Sequence, residues 1–372
     1  MSKKPEKKPI EQKPFSNSEF KKSMGLGVQN VKDKEKTWIP FNKGFYDAIG
    51  VPGVPRGYVS QFRGFSDVGK STGIYETIAG AQKLGDFIVI YDSEKSFDWD
   101  HAKKIGFQFT EVADEDGVVI NYEGEDFIYL DGLDLLKMYE CYDYKESKMK
   151  TTPLRFIPVV EDVARHMNFV LDAQARGELR RNITFVWDSI GSIGCFQGAM
   201  SSTNNNQWTA GALKRDFESI LNYRIPASRR EVSEFINTFV TVQKIWLRPN
   251  AFGQPTIMHN GGEGFKYGVR MLFHLGGKMG SSSKKLDAVS NGQSFNYGVK
   301  VEIECVKNHV NGIEKKGAIA STSHGFWNPD ELNDYKKQYK DYINAQLGRN
   351  YAEIGDYDGD DDDIELIEGD EE

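Results

Sequence analysis

Residues 64–71 read Gly-Phe-Ser-Asp-Val-Gly-Lys-Ser, a full G-x-x-x-x-G-K-[ST] pattern. The chemistry open to it is the holding of phosphate. Glycines let successive backbone N–H groups wrap around phosphate oxygens, and a helix N-terminus behind them adds partial positive charge. Lys70 would reach the β- and γ-phosphates of ATP, and the Ser71 hydroxyl would ligate Mg²⁺. Gly64, Phe65, Ser66, Asp67, Val68, Gly69 and Thr72 complete the cradle. Asp67 is the discordant member, because a carboxylate beside phosphates is unfavourable unless its side chain points out. The plainer alternative is a Gly-rich strand–helix turn with a buried lysine, which leaves the motifs below unexplained. The context also favours phosphate: residues 57–63 alternate like a strand and residues 72–81 read as a helix.

Three further residue types could act on a bound triphosphate. The apolar run Phe87-Ile88-Val89-Ile90-Tyr91 ends in Asp92-Ser93-Glu94. A carboxylate at the C-terminal end of a strand beside the phosphate loop can polarise an attacking water, which makes Glu94 the candidate base; a solvated helix cap is the alternative. The run Asn182 to Val186 leads into Trp187-Asp188-Ser189. An apolar strand ending in Asp is the Walker B pattern, whose carboxylate accepts hydrogen bonds from Mg²⁺-bound waters. Phe239-Val240-Thr241-Val242 closes on Gln243, which could sense a γ-phosphate through one hydrogen bond or be an ordinary strand-end Gln.

These residues need a sheet to converge on. The chain has 372 residues, enough for at least one large core. From 57 to about 320 its pattern alternates strand and helix, which predicts an α/β fold with a mostly parallel central sheet flanked by helices. The expected strands are 57–63, Phe87 to Tyr91, Phe127 to Leu130, Ile183 to Asp188, Phe235 to Val242, Met271 to Leu275 and 299–306. Residues 195–211, 247–264 and 276–296 break the pattern and read as long loops, which in a compact domain are usually functional or disordered. Residues 1–17 form a Lys/Pro-rich arm expected to be disordered, 18–50 a short helical lead-in, 51–328 the core, 329–354 a polar C-terminal helix and 355–372 an acidic tail. That tail holds eleven acids and no Lys or Arg, so the whole-chain net charge of −8 leaves the rest at +3. No apolar run nears 18 residues, the basic N-terminus lacks an apolar segment, and the three cysteines match no metal spacing. No membrane partner is expected, and a reducing cytoplasm fits best.

Taken together, the stretch Ala48-Ile49-Gly50, Gly53-Val54-Pro55-Arg56-Gly57, the phosphate loop, and Tyr91-Asp92-Ser93-Glu94 on to Ala102-Lys103-Lys104-Ile105-Gly106 resembles the RecA family of recombinases, in its bacterial and phage branch. Asp188-Ser189, Gln243 and Gly261-Gly262-Glu263-Gly264-Phe265-Lys266-Tyr267 fall in the family's order. The likeness covers roughly residues 45–315, with its first 60 residues the most specific. It implies a RecA-like P-loop ATPase core, with Glu94 the catalytic glutamate and Gln243 the switch coupling ATP to DNA. Asp98 would lie near the base, and His101 stands where the family uses a stacking Tyr. Lys307-Asn308-His309 stands where both ends of a Lys-x-Lys reach the neighbouring subunit's ATP. The His at 309 departs from that pattern, gives less charge stabilisation than Lys and would make activity pH-dependent near its pKa.

The resemblance further implies a first DNA loop at 195–211 and a second at 244–264. Lys214, Arg215, Lys244 and Arg248, with backbone N–H groups around Gly261 and Gly262, would neutralise phosphates. Trp208 and Phe252 could stack between bases, or could be core or loop anchors. The tail would compete with DNA for the basic groove, or simply confer solubility. The expected activity is a DNA-dependent ATPase that polymerises on single-stranded DNA and exchanges strands with double-stranded DNA, using ATP and Mg²⁺. Its partners would be DNA, further copies of itself in a helical filament or ring, and a single-strand-binding protein or loader. Two rivals remain: a hexameric RecA-fold helicase, and a nucleotide-binding scaffold with little catalysis, which negligible ATPase in the presence of DNA would favour.

Overall fold

The computed structural model describes residues 16–25, 32–132, 134–135, 142–143, 148–149, 158–199, 206–250, 252–259, 262–277, 283–290 and 292–348. The basic arm up to residue 15, the acidic tail at 355–372, Gly261, and residues 200–205 and 278–282 lie outside the described residues.

A single large sheet of eleven strands organises the chain. Its strands are β1 (Val59–Gly64), β2 (Phe87–Asp92), β3 (Phe127–Asp131), β4 (Ile183–Ile190), β5 (Asn237–Pro249), β6 (Pro255–His259), β7 (Met271–Leu275), β8 (Ser283–Ser290), β9 (Gln293–Asn308), β10 (Lys316–Thr322) and β11 (Gly325–Trp327). The path across the sheet is β3-β2-β4-β5-β1-β7-β9-β10-β11, with β6 hydrogen-bonded to β5 and β8 to β9. From β3 to β7 every neighbouring pair is parallel. Beyond β7 the pairs are antiparallel, as are the β5–β6 and β8–β9 hairpins. The fold is therefore mixed α/β, with a parallel centre of six strands extended beyond β7 by an antiparallel flank of four.

The central parallel strands β2, β4 and β7 are largely apolar because both faces are covered. Alternation sorts the side chains of the parallel strands. Phe62, Ile88, Ile90, Val186, Val240 and Val242 belong to one core cluster, together with Ile74 and Ile78 of α1 (Lys70–Lys83). Val89, Tyr91, Phe185, Trp187 and Phe239 belong to the other, beneath α2 (Val160–Ala175) and α3 (Asn206–Ser219). A third, smaller cluster packs β8, β9 and β10 against the C-terminal helices through Tyr335, Ile343 and Leu347.

Six sequence expectations differ from the structure. The stretch 195–211 is not structureless: it holds a short helix, Phe196–Ala199, and the first turns of α3. The stretch 247–264 is a hairpin of β5 and β6 followed by α4 (Gly262–Gly268). The stretch 276–296 contains the β8–β9 hairpin. Strand β5 runs seven residues past Val242, to Pro249, so Gln243 does not close it. The C-terminal segment is not one helix but a 3-10 turn and two helices, Leu332–Gln338 and Lys340–Gly348, while the lead-in includes a strand, Trp38–Pro40, paired antiparallel with Gly53–Pro55. In each misread hairpin one face meets solvent, so the strands carry Pro, Lys and Ser where a buried strand would carry Val or Ile.

Candidate functional site

The parallel strands end together, and the chain turns there from β1 into α1. Gly64 sits opposite Leu275 of β7 and Lys244 of β5. A Cβ at Gly64 would stand 2.5 Å from the Leu275 carbonyl oxygen, so only glycine lets the loop leave the sheet at that point. The loop passes through Asp67 at φ 57 and reaches the helix at Gly69, φ 84, where a Cβ would meet Ser321 at 2.4 Å. No side chain caps α1, so its first N–H groups are left to a ligand.

Beside the loop lies a cleft of about 670 Å³, a size ordinary for a small-molecule site. The loop residues Ser66, Asp67, Val68, Gly69, Lys70, Ser71 and Thr72 line it, with Glu94, His101 and Asp188 across from them. The Lys70 ammonium donates to the Phe65 carbonyl, which folds the loop onto its own lysine. Thr72 and Ser321 hydroxyls are 2.7 Å apart beneath the loop. Ser189 donates its hydroxyl to Glu94, fixing that carboxylate next to Asp188. Burial lowers the Lys70 pKa, opposed by Asp188 and reinforced by the positive charge of Lys244. Burial, then the carboxylates of Glu94 and Asp92, pushes Asp188 up to about 7.

Of the residues singled out in the sequence, the structure thus gathers Lys70, Ser71, Glu94, Asp188 and His101 on one cleft. His101 shares a 3.1 Å hydrogen bond with the Thr322 carbonyl and meets Tyr75 edge-on. Asp98 does not line the cleft; it caps the helix Trp99–Ile105 by accepting from the His101 N–H at 2.9 Å. Gln243 does not line it either. It is buried and follows the alternation Phe239, Thr241, Gln243, which faces away from α1, whereas Val242 and Lys244 face the cleft. Lys244, expected at a DNA loop, is accordingly a cleft residue.

The other expected contacts lie elsewhere. Trp208 is half-buried on α3 and packs on the core beneath it, so it reads as an anchor. Lys214 lays its stem against Gly264 of α4, and Arg215 pairs with Asp216 at 2.6 Å and with Glu161 at 3.5 Å. Arg248 is exposed on the β5–β6 hairpin, opposite Thr256, and Phe252 at its tip is 89% exposed. Gly262 takes φ 66 at the start of α4, close to Ala210. Lys307 donates to the Lys266 carbonyl at 3.1 Å, and the His309 N–H donates to the Arg270 carbonyl. Both stand where β9 pairs with the start of β7, at the end of the sheet opposite the cleft.

Sequence reading missed the contribution of the β8–β9 hairpin: Ser283, Lys285, Asn296, Gly298 and Val299 close one side of the cleft. The Ser283-Lys284-Lys285 cluster was the only signal, and without the strand pairing it pointed to a loop. As for a metal, no group of three or more His, Cys, Asp or Glu able to hold one occurs among the described residues. One hydroxyl, Ser71, and one carboxylate, Asp188, raised by burial and by its neighbouring carboxylates, fit instead the sparse protein set around a Mg²⁺ that arrives with phosphates.

Together these features define a mixed α/β protein with a helix-backed cleft at the ends of its parallel strands. Residues 14–116 match the model of the RecA N-terminal domain. Protein RecA of Ureaplasma parvum serovar 3 is 32% identical over 96 residues, covering 26% of this chain and 29% of that protein. Protein RecA of Porphyromonas gingivalis is 38% identical over 84 residues (22% and 24%), and that of Aquifex aeolicus 35% over 104 residues (27% and 30%). The chain spans less than a third of the length of these curated relatives. Residues 14–116 are therefore similar to a RecA N-terminal domain, and the RecA-family likeness read from the residues is borne out over that stretch. No helix among the described residues is long and apolar enough to cross a membrane.

Proposed function

We propose that this chain is a DNA-dependent ATPase that assembles on single-stranded DNA and promotes homologous pairing and strand exchange. The observation that carries the reading is the convergence of Lys70, Ser71, Glu94 and Asp188 on one cleft beside an uncapped helix N-terminus. A RecA-like P-loop ATPase core is the fold reading that accounts for it, and the match over residues 14–116 supports it.

In this reading the backbone N–H groups of 66–71 and the Lys70 ammonium hold the phosphates of ATP. Ser71, and Asp188 through bound water, would hold Mg²⁺, which would supply charge neutralisation at the phosphoryl oxygens. Glu94, steadied by Ser189, orients and polarises the attacking water. His101 stacks near the base, half-buried between Tyr75 and the Thr322 carbonyl. The β5–β6 hairpin, with Arg248, Trp246 and Phe252 exposed, is the element offered to DNA, with Gly262 beside it. Lys307 and His309, remote from the cleft of their own chain, are suited to a neighbouring protomer's ATP.

The test is strand exchange between circular single-stranded DNA and a homologous linear duplex. With ATP, joint molecules are expected from the native chain and none from Lys70→Ala. Nucleotide binding and DNA-stimulated hydrolysis without joint molecules would favour the helicase, and binding without hydrolysis the scaffold.

A further inference from the structure

Strand order sets what stands between the phosphate loop and the carboxylates. β5 lies between β1, which feeds the loop, and β4, which carries Asp188; β2, which leads to Glu94, comes next. A side chain at the end of β5 on the α1 face therefore stands between the group that holds phosphate and the group that would polarise water. That side chain is Lys244. It is level with Gly64, lines the cleft with Val242, and is near enough to Lys70 for its charge to bear on it.

Lys244 is exposed and has no carboxylate partner among the described residues. Two ammonium groups facing one cleft repel each other unless an anion sits between them. Asp188, Asp67 and Glu94 also bear on Lys70, Asp188 the most strongly, but the Glu94 carboxylate is engaged by Ser189. An anion spanning from the loop toward the carboxylates relieves that repulsion, and it must extend beyond the phosphates held by the loop alone.

We infer that Lys244 is a specificity-determining residue that reads the terminal phosphate, favouring a nucleoside triphosphate over a diphosphate from within the same chain. This rests on the nucleotide reading above and assigns to β5 a contact through Lys244 in place of Gln243, whose side chain faces the other way. The same strand continues without a break into the hairpin of Arg248 and Phe252, so a pull on Lys244 acts directly on that hairpin.

The test measures equilibrium affinity for ATP and for ADP, with Mg²⁺, in the native chain, Lys244→Met and Lys244→Arg. A charge-assisted contact to one phosphate predicts that Lys244→Met weakens ATP about ten- to a hundredfold while ADP binding holds, and that Lys244→Arg retains most of the preference. Unchanged ADP affinity also reports that the variant is folded. If Lys244→Met lowers both affinities equally, or neither, Lys244 does not read the terminal phosphate and the inference fails while the nucleotide reading stands. If the native chain binds neither nucleotide, the nucleotide reading fails and this inference with it.

Discussion

At the scale of single residues, Glu94 separates binding from chemistry. Its carboxylate is held by Ser189 at the cleft rim and supports no backbone hydrogen bond of the loop. Glu94→Gln should therefore keep ATP affinity within about threefold while hydrolysis falls about 10²- to 10⁴-fold, the range for a lost general base. Single-turnover hydrolysis beside equilibrium binding checks both halves. Glu76 makes a different kind of prediction. Buried on α1, it accepts the Phe326 N–H at 2.9 Å and the Asn42 N–H at 3.1 Å, tying the lead-in and β11 to the phosphate-loop helix. Burial outweighs these donors and raises its pKa from 4.5 to about 7. Because the folded value is the higher, its contribution is fully present below the unfolded pKa and is lost as pH rises through about 7, up to about 3 kcal/mol. Urea unfolding should thus show a midpoint that falls between pH 5 and pH 8, and Glu76→Gln should flatten that slope.

At the scale of elements, the β5–β6 hairpin and α3 respond differently to losing an aromatic. Phe252 is almost fully exposed, so Phe252→Ala should leave stability within about 0.5 kcal/mol and weaken single-stranded DNA by about 1–3 kcal/mol, as loss of one stacking platform does. Trp208 packs on the core cluster, so Trp208→Ala should cost stability and leave DNA affinity nearly intact. Thermal unfolding and fluorescence anisotropy at fixed salt distinguish the two. The same contrast explains what the sequence made legible. The parallel strands were readable because burial on both faces makes them apolar runs such as Phe87 to Tyr91. The loop was readable because its glycines serve backbone geometry that few other residues satisfy. The hairpins were not, because solvent on one face admits Pro249, Ser283 and Lys285 into strands. Gln243 was misread for a related reason: facing depends on strand parity, and an end placed seven residues too early made it look terminal.

At the scale of the whole molecule, the cleft and the Lys307–His309 end lie at opposite ends of the sheet. A catalytic role for Lys307 therefore requires a second copy. Lys307→Ala should leave ATP binding by dilute protein unchanged and lower hydrolysis only where protein is assembled on DNA, which sedimentation with parallel rate measurement checks. The tail at 355–372 adds eleven acids to a body of +3. Its removal should strengthen DNA binding at low salt, with the gain shrinking as the salt concentration rises. The measurement that bears most directly on the account is the ATP hydrolysis rate with and without single-stranded DNA, for the native chain and Glu94→Gln. The account predicts stimulation by DNA that vanishes in the variant. Hydrolysis indifferent to DNA, or undiminished by the substitution, would contradict it.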